Sequence, residues 1–207
     1  MTEALVWIDC EMTGLDPTTD VLVEVAVVIT DAELTPLDPG IDIVIATDPD
    51  KLAGMDDVVR EMHTSSGLLD AIGEATTSLA DAEQQLLDYI KRFVPDRRKA
   101  PLCGNSIATD RSFLSRYMPT LDDHLHYRMV DVSSIKELAR RWYPRVYFNA
   151  PAKHGGHRAL ADIVESINEL RYYRETLLVP QPGPDTDAAK AAAERAVTPL
   201  PGTVAPD

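Results

Sequence analysis

Residues 6–16 read VWIDCEMTGLD. The first half is an apolar run suited to a buried strand, yet it carries two acids, Asp9 and Glu11, a single residue apart. Successive side chains of a strand point to opposite faces, so positions i and i+2 share one. Val6, Ile8 and Cys10 therefore line one side, and Trp7, Asp9 and Glu11 the other. Two adjacent carboxylates repel, and burying either one unpaired is costly. Such a pair calls for positive charge between its members.

Outward from this stretch, residues 4–10 form a first strand, punctuated by Thr13-Gly14. Residues 21–30 (VLVEVAVVIT) form a long central strand, and 41–46 (IDIVIA) a third. The turn Asp38-Pro39-Gly40 before the third strand predicts a three-strand meander. Residues 55–72 are mixed, with helical stretches around Ser65-Ser66-Gly67. Thr76-Thr77 opens a helix along Leu79, Ala82, Leu86, Leu87, Ile90 and Phe93, stopped by Pro95. PLCG (Pro101–Gly104) is a short buried strand that leads into NSIATDRSFLSRYM, helical in its second half. Residues 129–132 form another strand, and Ser133-Ser134 cap the helix SSIKELARRWY. A long helix covers 158–178. Three leading strands, then strands alternating with helices, predict an α/β fold: a mixed central β-sheet flanked by α-helices.

The chain has 207 residues, 44% of them hydrophobic, enough for one core of ordinary size. That core is assigned to residues 1–178. Residues 179–207 change character, with six prolines and no aromatic residue, and are expected to be a disordered Pro/Ala-rich tail whose alanine-rich piece is at most transiently helical. No leader segment is expected, because Glu3, Asp9 and Glu11 interrupt any apolar run at the N-terminus. The run 21–30 is too short to span a bilayer. Cys10 and Cys103 sit in apolar stretches as free thiols, which suits a reducing cytoplasm. A formal charge of −14 argues against a basic face gripping long nucleic acid, though a few well-placed groups can still hold a small anion.

Two further acids stand out by position. Asp110 lies near the start of the helix after PLCG, where an acid favours the macrodipole by ~0.3–1 kcal/mol. Asp162 lies in the first turns of the last helix, where a solvated acid is ordinary. His157 follows Gly155-Gly156 five residues earlier. Five helical residues turn the chain by ~500°, so His157 is placed on the loop, free to swing, rather than on the face of Asp162. A rival set, His124, His126, His154 and His157, is suited in type to zinc. It leaves Asp9 and Glu11 unexplained.

Asp-x-Glu on the first strand, Asp110 after a middle strand and His-x4-Asp opening a late helix resemble the DEDD exonucleases of the histidine subtype, which share a ribonuclease H-like exonuclease fold. WIDCEMTGLD, LCGNSIATDRSFL, HYR followed by DVSSIKELARRW, and HRALADI resemble the oligoribonuclease family in order, across about residues 3–178.

That resemblance implies a metal-dependent 3′→5′ exoribonuclease acting on short oligoribonucleotides, dinucleotides included, and releasing nucleoside 5′-monophosphates. By the same likeness Asp9, Glu11, Asp110 and Asp162 hold two Mg²⁺ or Mn²⁺ ions, which would relieve the repulsion in the strand pair. His157 would accept the proton of the attacking water, a role that suits imidazole chemistry near neutral pH. Ser106, Arg128, Ser133 and Ser134 would cap the terminal phosphate, Leu15 would wedge against a base, and His63 would line the pocket. The family pattern implies a homodimer in which Tyr127 completes the partner's site. Where many members have tryptophan after Met-Asp-Asp, this chain has Val58, so weaker stacking on one base is expected. Two alternatives stay open: a proofreading-type 3′–5′ DNA exonuclease, which shares every catalytic residue, and a non-catalytic oligonucleotide-binding protein, which needs no proton acceptor.

Overall fold

In the computed structural model, which describes residues 4–153 and 156–197, the chain runs β1 (Leu5–Met12), β2 (Leu22–Thr30), β3 (Ile41–Val44), α1 (Pro49–Ala53), α2 (Asp57–Ser65), α3 (Leu68–Glu74) and α4 (Leu79–Phe93). It continues through β4 (Pro101–Gly104), α5 (Ala108–Tyr117), α6 (Pro119–His124), β5 (His126–Asp131), α7 (Val132–Trp142), α8 (Pro144–Phe148), α9 (Ala159–Leu177) and α10 (Thr186–Ala196). The sheet order is β3-β2-β1-β4-β5. β1, β2 and β3 pair antiparallel as the predicted meander, while β4 and β5 pair parallel. This is the expected mixed sheet.

The alternation read from residues 6–16 divides the interior in two. Val6, Ile8 and Cys10 face a core shared with Leu86 and Ile90 of α4 and with Phe113 and Leu114 of α5. Trp7 faces the other core, with Ala159, Ile163 and Ile167 of α9. Its indole Nε1–H donates to Thr30 Oγ1 at 3.0 Å, so the ring's polar handle is satisfied. β2 is buried along its whole length, as its apolar run requires. Two glycines shape the meander. A Cβ on Gly14 would collide with the Asp20 carboxylate at the turn after β1, and Gly40 sits at φ +96° beneath the Val27 carbonyl.

Several boundaries move for local reasons. β1 extends to Met12, so Glu11 belongs to the strand. Ser78, rather than Thr76-Thr77, caps α4, its hydroxyl accepting from the Asp81 N–H. Ser133-Ser134 do not cap α7: Asp131 does, accepting from the Ser133 N–H, and both serines lie in the helix. An acid at the strand's last residue reaches the free N–H groups first. The alanine-rich piece 186–196, expected to be at most transiently helical, forms α10, capped by Asp185 and with none of its residues buried.

Candidate active site

The site is built where β1 ends beneath the start of α9. Asp9 and Glu11 continue the face of Trp7, and because that face packs against α9, Asp162 in the first turn of α9 reaches them. One carboxylate oxygen from each of Asp9, Glu11 and Asp162 lies within 4.8 Å of the others. Asp110 enters from the first turn of α5 and is buried. Its Oδ1 accepts the Cys10 N–H at 3.0 Å, which ties it to the backbone between Asp9 and Glu11. Two acids with ordinary helix-terminus explanations in sequence thus converge on the strand pair.

The electrostatics follow from that convergence. Burial, then the charges of Asp110, Glu11 and Asp162, push Asp9 up to about 9. Burial, then Asp162, Glu24 and Asp110, push Glu11 up to about 8, against a lowering by Arg158. Asp110 is pushed up to about 6 by burial, against hydrogen bonds from its own and the Cys10 N–H. Asp162 is raised by burial and by Glu165, while His157 and Lys153 oppose the rise. Among the described residues His63 approaches the cluster, its Nδ1 lying 3.9 Å from Glu11 Oε2. A cluster of oxygen donors that cannot all ionise without a cation fits a hard divalent metal such as Mg²⁺ or Mn²⁺. The grouping that fits a metal contains no histidine among the described residues. His124, of the rival set, is buried and hydrogen-bonds the Val94 carbonyl, and His154 lies outside the described residues.

The two histidines near the acids are placed very differently. His157 is exposed on the loop before α9, at φ +45°, near enough to Asp162 to oppose the rise of that carboxyl. His63, on α2, is fully buried. Because a carbonyl can only accept, its Nε2–H donates to the Met12 carbonyl at 2.8 Å, and the buried Nδ1 is left without a hydrogen-bond partner.

A second group gathers at the β4–α5 and β5–α7 junctions. Ser106, at φ +55°, and Ser133 are joined through their hydroxyls at 3.0 Å, and Ser134 is exposed on the same turn of α7. Asn105 accepts from the Ser133 hydroxyl at 3.0 Å and donates to Ser166 and Glu169 of α9. Arg128 is exposed on edge strand β5, its Nε donating to the Tyr127 hydroxyl at 3.3 Å. Leu15, at 79% exposure, and Val58, at 76%, are the apolar side chains left free after β1 and on α2. Sequence reasoning missed Asn105, Asp131, Arg158 and Glu24. The last had a visible signal: it is the one acid inside an apolar nine-residue strand.

Residues 6–170 match the family model described as exonuclease. The chain is 62% identical to an oligoribonuclease of Leifsonia xyli subsp. xyli over 191 residues, 92% of each chain. It is 62% identical to that of Streptomyces coelicolor over 197 residues, 95% of this chain and 98% of the relative. The chain belongs to the oligoribonuclease family of exonucleases. Solved structures share the fold. Exonuclease I from Methylocaldum szegediense aligns with TM-score 0.62 at 20% identity, over 84% of this chain. The zinc-bound E. coli exonuclease I–ssDNA complex aligns with TM-score 0.63 at 14% identity, over 86% of this chain. This oligoribonuclease-family chain spans 41% of the length of either exonuclease I chain.

Proposed function

We propose that the chain is a metal-dependent 3′→5′ exoribonuclease that degrades short oligoribonucleotides, dinucleotides included, to nucleoside 5′-monophosphates. The observation that carries this reading is the convergence of Asp9, Glu11 and Asp162 within 4.8 Å, with Asp110 tied to the strand between them. Asp9, Glu11, Asp110 and Asp162 would hold two Mg²⁺ or Mn²⁺ ions, which supply charge stabilisation to the attacking and leaving oxygens of an in-line displacement at phosphorus. His157 accepts the proton of the attacking water. Its exposed loop position, within electrostatic reach of Asp162, suits a group that must approach substrate and then release a proton to solvent.

A 3′→5′ enzyme seats the 3′ nucleotide at the acids, so the 5′-terminal phosphate of a dinucleotide lies one nucleotide away. Ser106, Ser133, Ser134 and Arg128 are assigned to that phosphate, Arg128 giving the charge-assisted donor. Leu15 is assigned to a base and His63 to the pocket wall. Tyr127, 73% exposed on edge strand β5, supports a homodimer in which it reaches the partner's site. No helix among the described residues is long and apolar enough to cross a membrane. The buried free thiols Cys10 and Cys103 support a cytoplasmic setting. With a charge of −14, a short substrate held at its ends is favoured over a long polyanion held along its length.

The test is a time course with the purified chain, Mg²⁺ and 5′-labelled RNA of two, five and twenty nucleotides. The expected result is rapid loss of the dinucleotide with slow attack on the 20-mer. Processive shortening of the 20-mer that stalls before dinucleotides would overturn the end-capped reading.

A further inference from the structure

α9 carries Asp162, and the loop just before it carries His157, yet α9 begins without a cap of its own: Arg158, at the N-cap position, makes no side-chain hydrogen bond to the helix. The missing acceptor comes from another element. Glu24, fully buried on β2, takes the Ala159 N–H on its Oε2 at 2.9 Å. Its Oε1 receives Arg158 twice, from Nε at 2.7 Å and from Nη2 at 2.6 Å. Glu24 also pairs directly across the sheet with Glu11. One side chain on the strand beside β1 therefore grips two consecutive residues of the segment that follows His157.

We infer that Glu24 is a remote cap of α9 and, with Arg158, a positioning pair that holds His157 and Asp162 at the acids of β1. The inference rests on the assignment of His157 and Asp162 made above. Its physical basis is a shortage of alternatives. The first N–H groups of a helix need acceptors, and a buried carboxylate needs donors for both oxygens. Here three donors meet two oxygens, so each requirement fixes the other. His157 sits at φ +45°, a conformation an ordinary residue holds only where its surroundings impose it, and the anchor immediately after it supplies that constraint. Asp42, whose Oδ2 lies 3.6 Å from Arg158 Nη2, adds a second, weaker hold from β3. A merely structural buried ion pair would support the fold without bearing on the reaction. A positioning pair makes turnover sensitive to its geometry while substrate capture is spared, because misplacement by ~1 Å can cost ~10²-fold in rate.

The experiment compares Glu24→Gln, Arg158→Lys, Arg158→Ala and Asp162→Ala in the full chain. It reads kcat and KM on a dinucleotide, Mn²⁺ binding by calorimetry, and the thermal midpoint. Glutamine keeps the shape of Glu24 but offers one acceptor oxygen where two are used. For Glu24→Gln the expected result is a fall in kcat of about tenfold or more, KM within about twofold, and weaker Mn²⁺ binding. Arg158→Lys should recover part of the kcat lost in Arg158→Ala, since an ammonium keeps the charge but not the two-pronged grip. Folded Glu24→Gln with kcat and Mn²⁺ binding within twofold of the parent would overturn the inference. So would equal loss in Arg158→Lys and Arg158→Ala that tracks only the thermal midpoint. If Glu24→Gln fails to fold, the Arg158 pair decides alone, that side chain being one-third exposed. Undiminished turnover in Asp162→Ala would instead sink the assignment on which the inference rests.

Discussion

The carboxylate of Asp131 and the backbone of Ser106 meet across two junctions: Asp131 Oδ1 accepts the Ser106 N–H at 3.0 Å while also accepting the Ser133 N–H at 2.8 Å. One oxygen thus caps α7 and holds Ser106 in a left-handed conformation that costs a non-glycine residue ~1–2 kcal/mol. Asp131→Ala removes both bonds and is expected to lower stability by about 1–3 kcal/mol, read from urea unfolding. Asp131→Asn keeps an acceptor oxygen and should recover most of the loss.

Stability of the metal-free chain should fall as pH rises. Asp9 and Glu11 are held up at about 9 and about 8, well above the ordinary carboxylate range of the unfolded chain. Between these limits the folded state binds more protons than the unfolded one, so each rise in pH favours unfolding. The thermal midpoint in a chelator should therefore decline from pH 5 to pH 9. Mn²⁺, which replaces those protons, should raise it most at the alkaline end. A flat profile in chelator would contradict the burial of these acids.

Changes in the loop before α9 and in the first turn of that helix should separate chemistry from capture. His157→Ala is expected to cost ~10²–10⁴ in kcat near neutral pH with little change in KM, as loss of a proton acceptor does. Asp162→Ala should abolish turnover while the chain still binds a dinucleotide in an equilibrium assay. Parallel loss of binding and turnover in both would assign the two residues to substrate capture.

Val58 lies exposed on α2, at the position where the family resemblance implies a tryptophan that stacks on a base. Stacking on a base is worth ~1–3 kcal/mol, so Val58→Trp should lower KM for dinucleotides by about tenfold with kcat unchanged. An unchanged KM would show that another side chain already supplies the contact.

Helix α10 buries none of its residues, and an isolated helix under ~12–15 residues is marginal in water. A chain ending at Gly183 should keep its thermal midpoint and its rate on dinucleotides. A drop in the midpoint would place α10 within the folded unit and move the boundary assigned at residue 178.

The strands were legible because their signal is local. Val6, Ile8 and Cys10 alternate with Trp7, Asp9 and Glu11, and the two sets do face different cores. The meander was legible at Asp38-Pro39-Gly40 for the same reason. Helix starts were less so. Ser78 and Asp131 took the caps that sequence assigned to neighbouring hydroxyls, since several adjacent residues can serve and the chain's exact exit angle chooses among them.

What residues 6–16 determined by themselves was that two acids share the face of a buried strand, a conflict that requires a cation or a proton. Which groups join them was decided only by tertiary structure. Asp110 and Asp162 have sound local explanations at helix starts, and nothing in their neighbours' identities says that they meet 100 and 150 residues away from β1. The packing of α9 on Trp7 brings Asp162 there, and the Cys10 N–H brings Asp110. Glu24 shows the same limit most sharply. In sequence it is an acid interrupting an apolar strand, and its three donors come from a segment some 134 residues later. Periodicity is written in consecutive residues, whereas the partner of a buried charge is set by which distant surfaces the chain folds together.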